Sequence, residues 1–230
     1  MLLNRADAVV TVSKTTKRLV LEHKLTKRPV SVVTNAAERP DTALLNRALA
    51  RTAPSRRSLV YMGSFMPYKN VETLVRAAAL LPDYELHLMS KVTEAERTRL
   101  QNIAPQATLI FHDGASDAEY HEALVEATAL VTASFDEGFG IPLVESMELG
   151  TPVVVSDIPI FREIGGDSAL YVDPRSPDSL ASAVRSLEAP GQWRDRSSRS
   201  VIESARYTWQ ASAVHLLTVL TATVGRSPRS

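Results

Sequence analysis

Apolar and polar positions along this chain change period in a regular way. Six short apolar runs read as strands: Ser58–Met62, Glu85–Met89, Thr108–Phe111, Ala129–Thr132, Pro152–Val155 and Ala169–Val172. Between them, apolar residues recur at helical spacing over Asn70–Leu81, Glu94–Ile103, Asp117–Glu126, Pro142–Leu149 and Pro177–Leu187. Strands alternating with helices of this length predict βαβ units and a parallel sheet. The expected fold class is therefore α/β, a Rossmann-like parallel sheet flanked by helices. Local signals agree. Val71, Leu74, Val75 and Ala78 form one stripe, Asn70 stands at the N-cap position, and Glu72 complements the helix dipole. Pro142 falls in a first turn, where its missing N–H has no helical partner to lose.

The first residues are different. Ala8–Val12 and Val30–Val33 read as strands and Lys14–His23 as a helix, but two strands and one helix bury too little to stand alone. The pattern then breaks at Asn35-Ala-Ala-Glu-Arg-Pro40, and an Arg- and Ala-rich stretch runs to Arg57. Residues 1–35 are expected to be the remnant of a preceding N-terminal domain, with 36–57 as a connection. Residues 58–206 would form the main α/β domain. Further helices are predicted over Gln192–Ala205 and Thr208–Val224, with 207–224 as a terminal unit and 225–230 as a frayed tail.

Composition removes several classes. Lys and Arg total 26 and Asp and Glu total 26, with a sequence pI near 7.0, so no bulk field draws the chain to nucleic acid. The absence of cysteine rules out disulfides and thiolate metal sites. The start lacks a signal-peptide pattern, and no apolar run approaches the ~18 residues of a membrane span. These features predict a soluble cytoplasmic protein. Basic clusters such as Lys24/Lys27/Arg28 and Arg194/Arg196/Arg199 read as solvated faces, with peripheral placement at the inner membrane face as the alternative.

The densest chemistry lies in Ser134-Phe-Asp-Glu-Gly-Phe-Gly-Ile-Pro-Leu-Val-Glu145. Glu137 sits on a loop at a strand's C-terminal end, and Glu145 lies about one turn into the next helix. Glycines leave the backbone N–H groups between them open. Two acceptors flanking a donor-rich turn suit a ligand rich in hydroxyls, a sugar or a ribose. A second strand–glycine–helix joint, Tyr61-Met-Gly63-Ser64-Phe-Met-Pro-Tyr-Lys69-Asn70, offers backbone N–H groups, the Ser64 hydroxyl and the Lys69 ammonium to a phosphate. The competing reading of that joint is an ordinary turn with a solvated lysine. It is not a Walker loop, and no dinucleotide fingerprint occurs in the chain. The five histidines show no metal-ligand spacing. His87 reads as structural, while His112, at a strand end, is a candidate pocket wall.

The segment Glu137-x7-Glu145 with Gly-Phe-Gly between resembles the signature of retaining glycosyltransferases of the GT-B fold, in the large GT4 family. The likeness runs from about Leu59 to Val184. It includes Gly63…Lys69-Asn70, Phe111-His-Asp-Gly114, Gly150-Thr-Pro-Val153, Ser156-Asp-Ile-Pro159, Gly165-Gly-Asp167 and Tyr171-Val-Asp-Pro174. Residues 5–35 resemble the end of the family's N-terminal domain, and Tyr207-Thr-Trp209 onward its C-terminal crossover helix. The resemblance implies a nucleotide-sugar donor, GDP- or UDP-linked, and a hexose passed to a saccharide or lipid-linked acceptor without a metal. It implies that Glu145 accepts from ribose hydroxyls and that Glu137, with the N–H groups of Gly138, Phe139, Gly140 and Ile141, faces the transferred sugar. Gly63, Ser64 and Lys69 would hold the diphosphate.

Two departures stand out. Many members place arginine where this chain has Ser64, and the acceptor domain is missing from the sequence. Two further readings therefore stay open: a nucleotide-sugar-binding or regulatory module that pairs with a separate acceptor domain or with itself, and an inactive truncated fragment.

Overall fold

The computed structural model describes residues 2–224, so the tail predicted at 225–230 lies outside the described residues. The first elements are β1 (Val9–Thr11), α1 (Lys14–Glu22), β2 (Val30–Val32) and α2 (Thr42–Leu49). The central run follows as β3 (Ser58–Tyr61), α3 (Val71–Ala79), β4 (Glu85–Leu88), α4 (Glu94–Ile103), β5 (Thr108–Phe111), α5 (Asp117–Glu126), β6 (Ala129–Thr132) and α6 (Ile141–Glu148). It continues through β7 (Val153–Ser156), α7 (Pro159–Gly165), β8 (Leu170–Val172), α8 (Pro177–Ser186), α9 (Gln192–Ser204) and α10 (Trp209–Val224).

Six strands form one parallel sheet in the order β5-β4-β3-β6-β7-β8. This is the doubly wound arrangement, with its direction of growth reversing between β3 and β6. There the chain pairs Leu59 with Ala129 and Val60 with Leu130. Every residue of β3 and of β7 is buried, as central strands covered on both faces must be. Alternation sorts the side chains. Leu59, Tyr61 and Leu88 pack against Leu74, Val75, Leu180, Val184 and Trp193. On the opposite face Val60, Leu130, Val153 and Val155 meet Leu44, Leu124, Leu143, Met147 and Phe161.

Three features were not foreseen. Within the connection predicted at 36–57, helix α2 forms. Asp41 caps α2 by accepting from the Leu44 N–H at 2.9 Å, and Leu44 and Ala48 are buried. Helix α7 also went unpredicted, because seven residues begun by Pro159 are too few to display a helical period. Asn70 occupies the N-cap position of α3 but makes no side-chain cap. It adopts a left-handed backbone, and its Nδ2 instead donates to the Ala133 carbonyl at 3.1 Å and the Pro174 carbonyl at 2.6 Å. It thereby ties together the segments that follow β3, β6 and β8.

β1 and β2 form a separate parallel pair, with Val9 beside Val30. Their own core is small: Val9, Val20 and Val30 with Leu25 against them. The piece is held to the large sheet from outside. The Glu163 carboxylate on α7 accepts from the Lys14 N–H, the Thr15 N–H and the Thr15 hydroxyl, each at 2.7 Å. In α10 Ser212 alone is buried, and its hydroxyl donates to the Thr34 carbonyl at 2.6 Å. Among the described residues no helix is long and apolar enough to cross a membrane.

Candidate functional site

A cavity of about 320 Å³ opens where the sheet order reverses, beyond the ends of β3 and β6. Its lining brings together Lys69, Glu137, Gly138, Phe139, Gly140 and Ile141, with Val12 and Asn35 from the N-terminal residues. Lys69 and Glu137 lie 68 positions apart, yet the Lys69 ammonium sits 2.6 Å from Glu137 Oε1. Their side chains are only 17% and 14% exposed. The same oxygen accepts from the buried Ser134 hydroxyl at 2.9 Å, and no described residue bonds to Oε2. The pair is thus fixed from one side, with a carboxylate oxygen and ammonium protons left to offer.

The turn after Glu137 is built to expose backbone. The N–H groups of Gly138, Phe139, Gly140 and Ile141 meet no acceptor among the described residues. A Cβ at Gly138 would meet nothing within 4 Å, so this stretch faces open space. Gly140 has φ +99°, in the region that favours glycine, and a Cβ there would lie 3.0 Å from the Phe161 ring. The Phe139 side chain turns the other way, into the core, edge-on to Tyr207 at 5.6 Å between centroids. Helix α6 begins here with Pro142 in its first turn, adding a helix N-terminus to the exposed donors.

The other predicted residues stand apart from this lining. The Gly63 N–H donates to Ser90 Oγ at 3.1 Å, and the Ser64 carbonyl accepts from the Tyr61 hydroxyl at 2.6 Å. A Cβ on Gly63 would fall 2.8 Å from that hydroxyl, which explains the glycine. Glu145 lies one helical turn further along α6, outside the cavity wall. Burial pushes its carboxyl up to about 6; the nearby Tyr120 phenol opposes the rise, and Asp117, Glu38 and Glu148 add to it. The Tyr120 hydroxyl is buried and has no partner at hydrogen-bonding geometry among the described residues.

Sequence reasoning passed over Ser134, Asn70 and Glu163 as site supports. Ser134 was findable, three positions before Glu137 on the same turn. The Glu163 contact spans 149 positions and leaves no local signal. The histidines also pair in space: His87 Nδ1 lies 3.0 Å from His112 Nε2, and His87 Nε2 lies 3.2 Å from Glu85. Burial first, then His87, lowers the His112 pKa. His112 is not part of the cavity lining.

The doubly wound sheet thus carries a cation, a carboxylate and open N–H groups at its reversal point, the place where open α/β sheets bind ligands. Residues 47–206 match the model of the glycosyl transferases group 1 family, and the chain belongs to that family. It is 30% identical over 212 residues to the O-antigen chain mannosyltransferase RfbU of Salmonella typhimurium, covering 90% of this chain and 57% of the relative. The chain thus spans little more than half of that protein's length. In fold it resembles sucrose-phosphate synthase from Thermosynechococcus elongatus, at TM-score 0.76 and 24% identity over 98% of this chain and 60% of the other. It also resembles Anabaena HepE, solved with UDP and glucose, at TM-score 0.75 and 18% identity over 96% and 64%.

Proposed function

We propose that the chain is the donor-binding part of a retaining hexosyltransferase that takes a GDP- or UDP-linked hexose. One observation carries this reading: four unpaired backbone N–H groups, Gly138 to Ile141, border the cavity that also receives Lys69 and Glu137. Glu137 Oε2 accepts from a hydroxyl of the hexose. Lys69 keeps one proton on Glu137 and directs others at the diphosphate, where charge builds as the bond from the anomeric carbon to the phosphate oxygen breaks. Ser64 and the loop after Gly63 approach the same diphosphate. Glu145 takes the ribose hydroxyls, and the acceptor, a saccharide or lipid-linked sugar, receives the hexose with its configuration kept. The mannosyltransferase among the relatives favours mannose as the hexose.

A thermal-shift titration with GDP, UDP, GDP-mannose, UDP-glucose and UDP-N-acetylglucosamine tests the reading. A ligand at a hundred times its Kd adds about 2.7 kcal/mol to stability. A shift with one base class is expected. A cooperatively unfolding chain that responds to none of the five would overturn it. A second reading is a nucleotide-sugar-binding module that works with a separate acceptor domain. Binding of donor without any transfer to added acceptors would support that reading over the first.

A further inference from the structure

Glu145 and Tyr120 form an unfinished contact between α6 and α5. The Tyr120 side chain is 3% exposed, its hydroxyl is wholly buried, and it has no hydrogen-bond partner among the described residues. A buried hydroxyl left in that state costs about 1–3 kcal/mol, so such a group needs a reason to be there. The Glu145 carboxylate beside it makes no hydrogen bond to any described residue. The other groups facing that carboxylate are Asp117 on α5, Glu38 on the segment before α2, and Glu148 on its own helix. All three are acids. Of these four groups among the described residues, the phenol is the one that can donate a hydrogen bond to the charged carboxylate. Burial, with Glu145 adding to it, holds the phenol protonated.

We propose that Tyr120 is a positioning residue for Glu145: its buried hydroxyl donates to one carboxylate oxygen and leaves the other turned toward the ligand's hydroxyls. The ligand half of this statement rests on the nucleotide reading above; the contact between the two side chains does not. A carboxylate that is buried, and set among three acids as well, tends to take up a proton, and a protonated carboxyl loses acceptor capacity just where a diol must be held. The phenol counters that tendency and fixes the plane of the group as well. Tyr120 touches no ligand itself.

The Glu145 side-chain carboxyl, followed by NMR through a pH titration of the unliganded protein, tests the contact directly. In Tyr120→Phe the midpoint is expected to rise by about half a unit to one unit above the wild type, because a donor to the charged form has gone. An unchanged midpoint overturns the proposal. The substitution deletes one oxygen and removes an unpaired hydroxyl, so the unfolding temperature should hold or rise. Should Tyr120→Phe fail to fold, wild-type protein labelled at tyrosine Cζ answers the same question. The Tyr120 signal is expected to inflect near the Glu145 midpoint, and a flat trace overturns the idea. Nucleotide affinity adds the functional arm. The ratio of Kd values, variant to wild type, should grow from about one at pH 8 to about two- to fivefold near pH 6, the effect of half a unit to one unit on a carboxylate. A merely structural role gives one ratio at every pH. If wild type binds no nucleotide, the functional reading fails while the NMR titration still decides the contact.

Discussion

Two loops leave the sheet on either side of its reversal point, and they are built in opposite ways. The loop after β3 is closed on itself: Tyr61 bonds to the Ser64 carbonyl and the Gly63 N–H is taken by Ser90. What it offers the cavity is a side chain, Lys69. The loop after β6 is open. Its four N–H groups are unclaimed and its glycines face space or adopt a left-handed turn. What it offers is backbone. A side-chain charge can be moved or removed without harm to the loop that carries it. A backbone donor exists only while the loop holds its shape. The contrast predicts that damage to the second loop is costlier.

Gly140→Ala should show this most clearly. Its φ of +99° is strained for any residue with a side chain, and an added methyl group would crowd the Phe161 ring at 3.0 Å. A loss of about 3 kcal/mol in stability is expected from the strain and the contact together, with nucleotide binding lost as well. Gly138→Ala, where a Cβ meets open space, should stay within about 0.5 kcal/mol in the same urea unfolding experiment. Equal effects would dissolve the distinction. Lys69→Met comes next. Removing one charge-assisted donor of about 1.5–3 kcal/mol should weaken nucleoside diphosphate binding by roughly 10- to 100-fold in a calorimetric titration. The fold of the first loop should survive.

Glu145, one turn beyond the open loop, sharpens the comparison through pH. Its carboxyl sits at about 6 against an ordinary 4.5, so above pH 6 the protein holds a charge that burial disfavours. That gap corresponds to about 2 kcal/mol of lost stability, which disappears as pH falls through 6 toward 4.5. Glu145→Gln should therefore look better relative to wild type at pH 8 than at pH 4.5, by about 2 kcal/mol in urea unfolding. The same change should weaken nucleotide binding at pH 8. A difference that does not vary with pH would mean the carboxyl is solvated after all.

Much of this arrangement was legible in the chain. The sheet was readable because its central strands β3 and β7 are apolar and buried on both faces, and its helices carry one-sided stripes such as Val71, Leu74, Val75 and Ala78. Lys69 and Glu137 each stood out in a strand–glycine–helix joint, but only the reversal between β3 and β6 brings them into contact. Helix α2 hid in an Arg- and Ala-rich stretch because it buries just Leu44 and Ala48. Asn70 was misjudged because an asparagine before a helix ordinarily caps it, whereas here the carbonyls that follow two other strands, β6 and β8, take its amide. Tyr120 carried no signal. Within α5 it is one more large residue on a core face, and its unpaired oxygen exists only in three dimensions.

The Glu163 clasp has a consequence for how the molecule assembles. It joins backbone at Lys14 and Thr15 to a carboxylate 149 positions later in the chain. Contacts of such sequence separation are entropically slow to close and form late. Residues 9–32, with three buried valines for a core, are made early and have little to hold them. Their orientation is settled only when α7 has packed and Glu163 is in position. The wall that Val12 lends to the cavity is then among the last surfaces to arrive, after the sheet that it faces.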